Sequence, residues 1–543
     1  MLTLMPFGNP GPRETRAGRS ENGRLCNPKG FVLRHVLQGS SFLATLGFDR
    51  ESLWDSVLGW LFLLPALFAF SSSPILAADN AQILEIGVAK IDVTPSYPIR
   101  LTGYAVRKTE SEGTEQKLWA RALAIGSDGD GAAILMTVDN CGICANVTEE
   151  VAARLKKKAS IARERFAVCS SHTHTGPCTV GFAPNIFAMP IPPEQQATIA
   201  RYTQELTDKL EQVALAALTD RRPGKLAWGI GSAEFARNRR TSGGPVDHAV
   251  PLLRATDRNG NLRAILANYA CHCTTLGGEV NKFCGDWIGF AAEFLETDLP
   301  GAIALVAVGC GADSNPHPRG GPDFGLALAR EHGREIATEA KRLLETELKP
   351  LANNLQFRTK RIELPFQRHF TREEWEERAR KSGIVGYHAT NYLGRLDSGE
   401  KLPATLPYLV QAWTFEDDLA MVFLSGEVVV DYSLRLKKDF DTNRLWINAY
   451  ANDVPCYIPS KRILREGGYE AEESLWYYGR PQRLAPETED LIIGTVHELL
   501  PKKFAADPTR SDFPPPKSPN EALASLNAFG TRRRIGRCRA VDR

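Results

Sequence analysis

Two histidines stand two positions apart in Cys169-Ser170-Ser171-His172-Thr173-His174-Thr175-Gly176-Pro177, in a chain of 543 residues with only ten histidines. The preceding Arg165-Phe166-Ala167-Val168-Cys169 reads as a strand and Gly176-Pro177 as a turn. If the extended backbone continues through the pair, side chains two residues apart point the same way. Imidazoles so placed suit two chemistries: both bind one metal ion, or one binds metal while the other moves protons. Tyr269-Ala270-Cys271-His272 ends a second apolar run in a histidine. Leu424-Ser425-Gly426-Glu427 ends a third in a carboxylate, and the stretch from Tyr450 to Tyr457 brings aromatic hydroxyls after a fourth. Each has a structural explanation alone, Glu427 as an acid at a helix N-terminus and His272 as a satisfied core histidine. Together, two histidines and a carboxylate form a ligand set suited to catalytic zinc with an open position.

The elements that must position these residues alternate between strand and helix patterns. Apolar runs at 132–138, 166–170, 225–230, 264–271, 302–308, 419–424 and 445–449 read as strands. Helical periodicity appears at 147–158, 193–218, 286–299, 326–345, 428–438 and 487–500. Near-continuous apolar runs bracketed by helices predict an α/β fold of mixed sheets covered by helices. No internal repeat interrupts the pattern. The ligand candidates fall at strand ends, where open α/β sheets build their sites.

Composition bounds the partners. Apolar residues make up 43% and charged residues 24%, and 66 basic against 64 acidic side chains give a net charge of +2. That balance excludes nucleic acid as the main partner, which needs a basic excess. Residues 56–78 carry no charge and hold a dense apolar core at 57–70, the length of a signal-peptide core rather than a full membrane span. The expected organisation is a non-native or disordered leader at 1–50, a signal peptide or membrane anchor at 51–78, and one large catalytic domain at 83–500. A disordered Pro/Arg-rich tail then follows at 501–543. The chain is accordingly expected to be exported. Eleven cysteines, many inside apolar runs, read as small buried residues rather than a disulfide framework.

The segments 89–95, 101–105 and 119–122, the motif Ser171-His172-Thr173-His174-Thr175-Gly176-Pro177, and then Asn238-Arg239, 268–272, Gly426-Glu427, Tyr457 and Tyr469 follow one another in an order that resembles the catalytic domain of the neutral/alkaline (non-lysosomal) ceramidase family. The resemblance runs from about residue 83 to 500. It implies one Zn2+ per chain, bound by His172, His272, Glu427 and Tyr457, with His174 as the proton-transfer group. Arg239 and Tyr469 would stabilise the oxyanion formed when an amide carbonyl is attacked. Within Gly309-Cys310-Gly311-Ala312-Asp313-Ser314-Asn315-Pro316, Ser314 aligns with a serine that the family places near the scissile bond, and Asp313 would be its partner. The plain reading of that loop is a turn after a buried strand. The resemblance further implies hydrolysis of an N-acyl linkage in ceramide or a related lipid amide, met at a membrane surface. It leaves out the C-terminal immunoglobulin-like domain of better-known ceramidases.

Two other readings compete. Cys141-Gly142-Ile143-Cys144 before a helix pattern has the spacing of a thiol-redox motif. The loop around Ser314, in which Asp313 stands one place off and Asn315-Pro316 inverts the order of the loop it resembles, instead fits a lipid- or carbohydrate-binding homologue that has lost its chemistry.

Overall fold

Period-two alternation of buried side chains sets the architecture, which the computed structural model describes for residues 83–507 except 130, 322 and 323. The large sheet contains β1 (Leu84–Asp92), β2 (Trp119–Ile125), β3 (Ala133–Val138), β4 (Phe166–Ser170) and β5 (Arg222–Ser232). A short β6 (Ala236–Asn238) follows, and then β7 (Ala249–Asp257), β8 (Leu262–Tyr269) and β9 (Ile303–Val308) complete that sheet in the order β4-β3-β2-β1-β5-β7-β8-β9. Short β10 (Ser314–Pro316) pairs with β6, and β11 (Lys349–Pro350) pairs with β5. The second sheet is β12 (Leu355–Pro365), β13 (Thr405–Phe415) and β14 (Leu419–Leu424), then β15 (Glu427–Val428) leaves it and β16 (Leu445–Asn448) closes its edge. A last strand, β17 (Tyr457–Ile458), pairs with β15. Most neighbours are antiparallel, but β3–β4, β8–β9, β14–β16 and β15–β17 run parallel.

Alternate residues on each strand enter different cores. Leu123, Leu135 and Trp228 of the large sheet pack with Trp413, Phe423 and Trp446 of the second sheet. On the opposite face, Ala122, Met136 and Val168 meet the helices Ala145–Ala159 and Pro193–Thr219. Farther across that sheet, Leu252, Ile265 and Val306 meet the helices Asp286–Asp298 and Gly325–Leu344. The helix Glu487–Leu499 covers the far side of the second sheet through Ile492 and Val496. The fold is therefore mixed α/β as expected, with one refinement. Helices cover one face of each sheet, while the other two faces cover each other, because bulky aromatic residues on β13, β14 and β16 fill the space over small and branched ones.

Most expected elements fall where periodicity put them, within a few residues. The strands β7, β12 and β13 and the helices Arg372–Ala379 and Gly383–Asp397 were not anticipated. The 1–50 leader and the 51–78 signal or anchor lie outside the described residues, as do 508–543. The tail boundary moves, since 501–507 is ordered: Phe504 is buried, its carbonyl accepts from Asp441 N at 2.8 Å, and Ala506 N donates to Asp439 O at 3.0 Å. Among the described residues no helix is long and apolar enough to cross a membrane.

Trp413 is fully buried between the sheets and donates its indole N–H to Glu164 O at 3.0 Å, pinning the second sheet to the start of β4. Trp413→Ala is expected to cost about 3–5 kcal/mol, read as a lowered midpoint in urea unfolding.

Candidate metal centre and cavity

Backbone hydrogen bonds gather the carboxyl ends of strands from both sheets at one place. Ser170 N donates to Tyr450 O at 3.1 Å, Ala449 N to Val308 O at 2.9 Å, and Tyr450 N to Gly426 O at 3.0 Å. The turns that follow leave ordinary backbone space: His172 has φ 57°, Tyr450 φ 51° and Gly426 φ 83°. A left-handed conformation in His172 and Tyr450 costs on the order of 1–3 kcal/mol each, and such strain persists only where surrounding contacts over-determine it. This corrects the expectation of an extended His-x-His. The strand stops at Ser170, and the left-handed turn at His172 brings the two rings edge to face, centroids 4.7 Å apart.

His172, His272 and Glu427 converge in the buried interior. His172 Nε2 lies 3.1 Å from His272 Nε2 and 3.0 Å from Glu427 Oε2, and His272 Nε2 lies 3.3 Å from that same oxygen. The outer ring nitrogens face carbonyls: His172 Nδ1 donates to Cys141 O at 2.7 Å, and His272 Nδ1 faces Gly311 O at 3.2 Å. Those partners fix the tautomers that leave lone pairs on both Nε2 atoms. Glu427 Oε2, buried, has no hydrogen-bond partner, while Tyr478 OH donates to Oε1. Lone pairs from three buried atoms thus point at each other with nothing between them. Tetrahedral zinc with bonds of about 2.0–2.2 Å sets its ligands about 3.3–3.6 Å apart, so this donor set fits such an ion with little contraction or expansion.

Around the triad, Glu427 and Tyr457 sit directly opposite in the parallel pair β15–β17. Tyr457 OH is 3.2 Å from His272 Nε2 and accepts from Arg239 Nη2 at 3.1 Å. His174 Nε2 is 3.1 Å from His172 Nε2, and its buried Nδ1 has no partner among the described residues. Arg239 also donates Nε to Glu470 Oε1 at 2.7 Å, and its guanidinium lies over the Tyr457 and Tyr469 rings at 5.5 and 5.4 Å. His174, Arg239, His272, Tyr457, Tyr469 and Glu470 line a cavity of about 680 Å³.

The charges are tightly coupled and titrate as a unit. Burial would raise the Glu427 pKa, but His172 and His272 outweigh it and hold the carboxyl well below its usual range. Burial lowers His172, yet Glu427 more than reverses this and raises it well above the ordinary imidazole value. Burial, then the charges of Arg239 and His172, push His272 down to about 4. Burial and the two neighbouring imidazoles likewise push His174 well below its ordinary value.

Asp313 and Ser314 take different positions. Asp313 Oδ1 accepts from Val430 N at 2.8 Å at the start of the helix Val430–Asp439, and Oδ2 accepts from Asn238 Nδ2 at 3.2 Å. Ser314 O accepts from His272 N at 2.9 Å, while its Oγ is buried without a partner. Neither side chain lines the cavity, and both hold the backbone that carries His272 and Arg239. The Cys141/Cys144 motif is two buried free thiols, and burial pushes both thiols up. A redox pair needs an accessible thiolate, so that reading loses its basis.

Three further residues escaped the sequence reading. Tyr478 holds Glu427, Arg107 donates to the carbonyls of His174, Thr102 and Val280, and Gly103 makes room for the His174 ring. A Cβ on Gly103 would lie 2.5 Å from the ring, and its φ of 91° favours glycine in any case.

Comparison with known proteins agrees with this geometry. Residues 84–308 match the family described as neutral/alkaline non-lysosomal ceramidase, N-terminal. The neutral ceramidase of Drosophila melanogaster is 23% identical over 273 residues, 46% of this chain and 38% of that one. The Pseudomonas aeruginosa neutral ceramidase is 23% identical over 262 residues, 45% of this chain and 38% of that one. The matched stretch thus spans well under half the length of these curated relatives. The fold resembles the crystal structure of the Pseudomonas enzyme with a TM-score of 0.60 at 19% identity, covering 78% of this chain and 76% of that one. A ceramidase complexed with C2 gives the same TM-score at 18% identity, covering 78% and 77%. The ceramidase resemblance read from the motifs therefore stands.

Removing the hydroxyl that anchors Glu427 leaves its Oε1 unpaired in the interior. Tyr478→Phe is expected to weaken zinc retention by about 10- to 100-fold, measured by competition with a chromogenic chelator; unchanged affinity would refute the anchoring role. Gly103→Ala should displace His174 and lower kcat while zinc stays bound.

Proposed function

We propose that this chain is a zinc-dependent hydrolase of an N-acyl linkage. The observation carrying the reading is the set of mutually facing acceptor atoms on His172, His272 and Glu427, 3.0–3.3 Å apart, of which His272 lines a cavity together with His174, Arg239, Tyr457 and Tyr469. His172, His272 and Glu427 would hold the ion, with the Tyr457 hydroxyl as the fourth group facing it. Zinc so held supplies a Lewis acid and lowers the pKa of bound water to about 7.

The protein's own groups divide the remaining work. His174 stands at the cavity wall, where its Nε2 can take a proton from the attacking water and return it to the departing amine nitrogen. The water oxygen joins the acyl carbon, the C–N bond breaks, and the products are a carboxylic acid and an amine. Arg239, braced by Glu470, and Tyr469 present donors where negative charge develops on the carbonyl oxygen. Burial of the triad excludes bulk water and strengthens each of these interactions. The family resemblance supports an amide as the scissile group, and it motivates a lipid amide as substrate. Export through a segment at 51–78 belongs to the same proposal.

His172→Ala and His272→Ala are expected to bind less than a tenth of the zinc of the parent by elemental analysis. His174→Ala should keep its zinc and lose about 10²- to 10⁴-fold in kcat. Equal zinc loss in all three variants would overturn the division of roles. Chelation should abolish turnover, and stoichiometric zinc should restore it.

A further inference from the structure

The cavity wall carries information about the substrate that the ligand set does not. None of the side chains lining it is aliphatic. Its apolar surface comes from the rings of Tyr104, Tyr457 and Tyr469 and from glycine backbone, and the rest is arginine, glutamate, histidine, threonine and asparagine. A long alkyl chain gains its binding free energy methylene by methylene as it leaves water. Here it would also strip water from guanidinium and carboxylate groups without replacing their hydrogen bonds.

The arginines differ in how far they are committed. Arg239 is held by Glu470 and Tyr457. Arg240 is held by Glu470, Glu466 and the carbonyl of Gly467. Arg319 is exposed, its hydrogen bond among the described residues is a 3.4 Å contact from Nη1 to Thr274 Oγ1, and no described carboxylate pairs with it. Thr274 lies two residues beyond His272, and Arg319, Thr274 and His272 line the same cavity. Across the cavity, Gly467 and Gly468 adopt φ 73° and 85° with ψ near ±160°, a conformation confined to glycine. Nothing but bare backbone forms that part of the wall, which suits a compact polar group rather than a chain.

We infer that the substrate is a small amide bearing a carboxylate, bound through Arg319 and Thr274, rather than a two-chain lipid. This rests on the N-acyl hydrolase reading above and sets a small charged amide in place of the lipid amide that the family resemblance motivates. The reaction is unchanged: water's oxygen goes to the acyl carbon, and the amine leaves with the proton.

The test compares kcat/KM of the zinc-loaded full chain for four probes. N-hexanoylglycine carries the charge on the amine half and N-hexylsuccinamic acid carries it on the acyl half. N-hexanoylethanolamine is the neutral match, and C16 ceramide in mixed micelles is the lipid. The better carboxylate probe should exceed the neutral one by about tenfold or more, the scale of one charge-assisted hydrogen bond. Ceramide should be slower than either carboxylate. Arg319→Ala should remove most of the carboxylate preference, and Arg319→Lys should retain part of it. Ceramide turning over faster than both carboxylates would overturn this inference and leave amide hydrolysis standing, as would a preference unchanged in Arg319→Ala. No turnover of any probe by protein holding one zinc per chain would sink the hydrolase reading and this inference with it.

Discussion

His172, His272 and Glu427 bring three acceptor atoms to one buried point, and much of the surrounding structure serves to hold them there. Three acceptor atoms sit 3.0–3.3 Å apart in the interior, and like lone pairs at that distance repel. Glu427 Oε2 is buried there without a hydrogen bond, which is costly for a carboxylate. An ion satisfies all three atoms at once.

Holding those atoms in place is work shared by backbone more than by side chains. Carbonyls of Cys141 and Gly311 orient the two imidazoles, and the β15–β17 pairing sets Glu427 against Tyr457. The loop 311–314 reaches His272 twice, through Gly311 O and Ser314 O, and reaches Arg239 through Asp313 O. Its serine and aspartate thus have a structural purpose whether or not chemistry uses them. Strain at His172 and Tyr450 is tolerated because both sheets press on the same turns, and a tilted ring contact between Tyr450 and His172, centroids 4.5 Å apart, ties the two together.

The sequence made the ligands legible because each ends an apolar run, and a polar residue at that position stands out. It made β3, β4, β8, β9 and β14 legible for the same reason, since strands buried on both faces read as continuous apolar stretches. The strand β12, LQFRTKRIELP, reads differently: it lies at the edge of its sheet with charged residues facing outward, so half of its positions argue against a strand. Pro251 and Arg254 blur β7 in the same way. Tyr478, Arg107 and Gly103 carry no local signal at all. Their importance arises from contacts with Glu427 and His174, which chain folding alone brings about. The packing of sheet on sheet was equally invisible, because burial on both faces does not say whether a helix or another sheet does the covering.

The centre and the wall above it are built from different material. His172, His272 and Glu427 hang from strand ends locked by both sheets, where any shift would propagate through closely packed aromatic cores. The cavity wall comes from loops, the Gly467–Glu470 turn and the segment around Arg319, joined to the sheets by few hydrogen bonds. Loops of this kind can change residue types without disturbing strand register. A cluster fixed by the sheets and a wall fixed by the loops are therefore separable, which is how a buried His172/His272/Glu427 group can stand beneath a wall without aliphatic side chains.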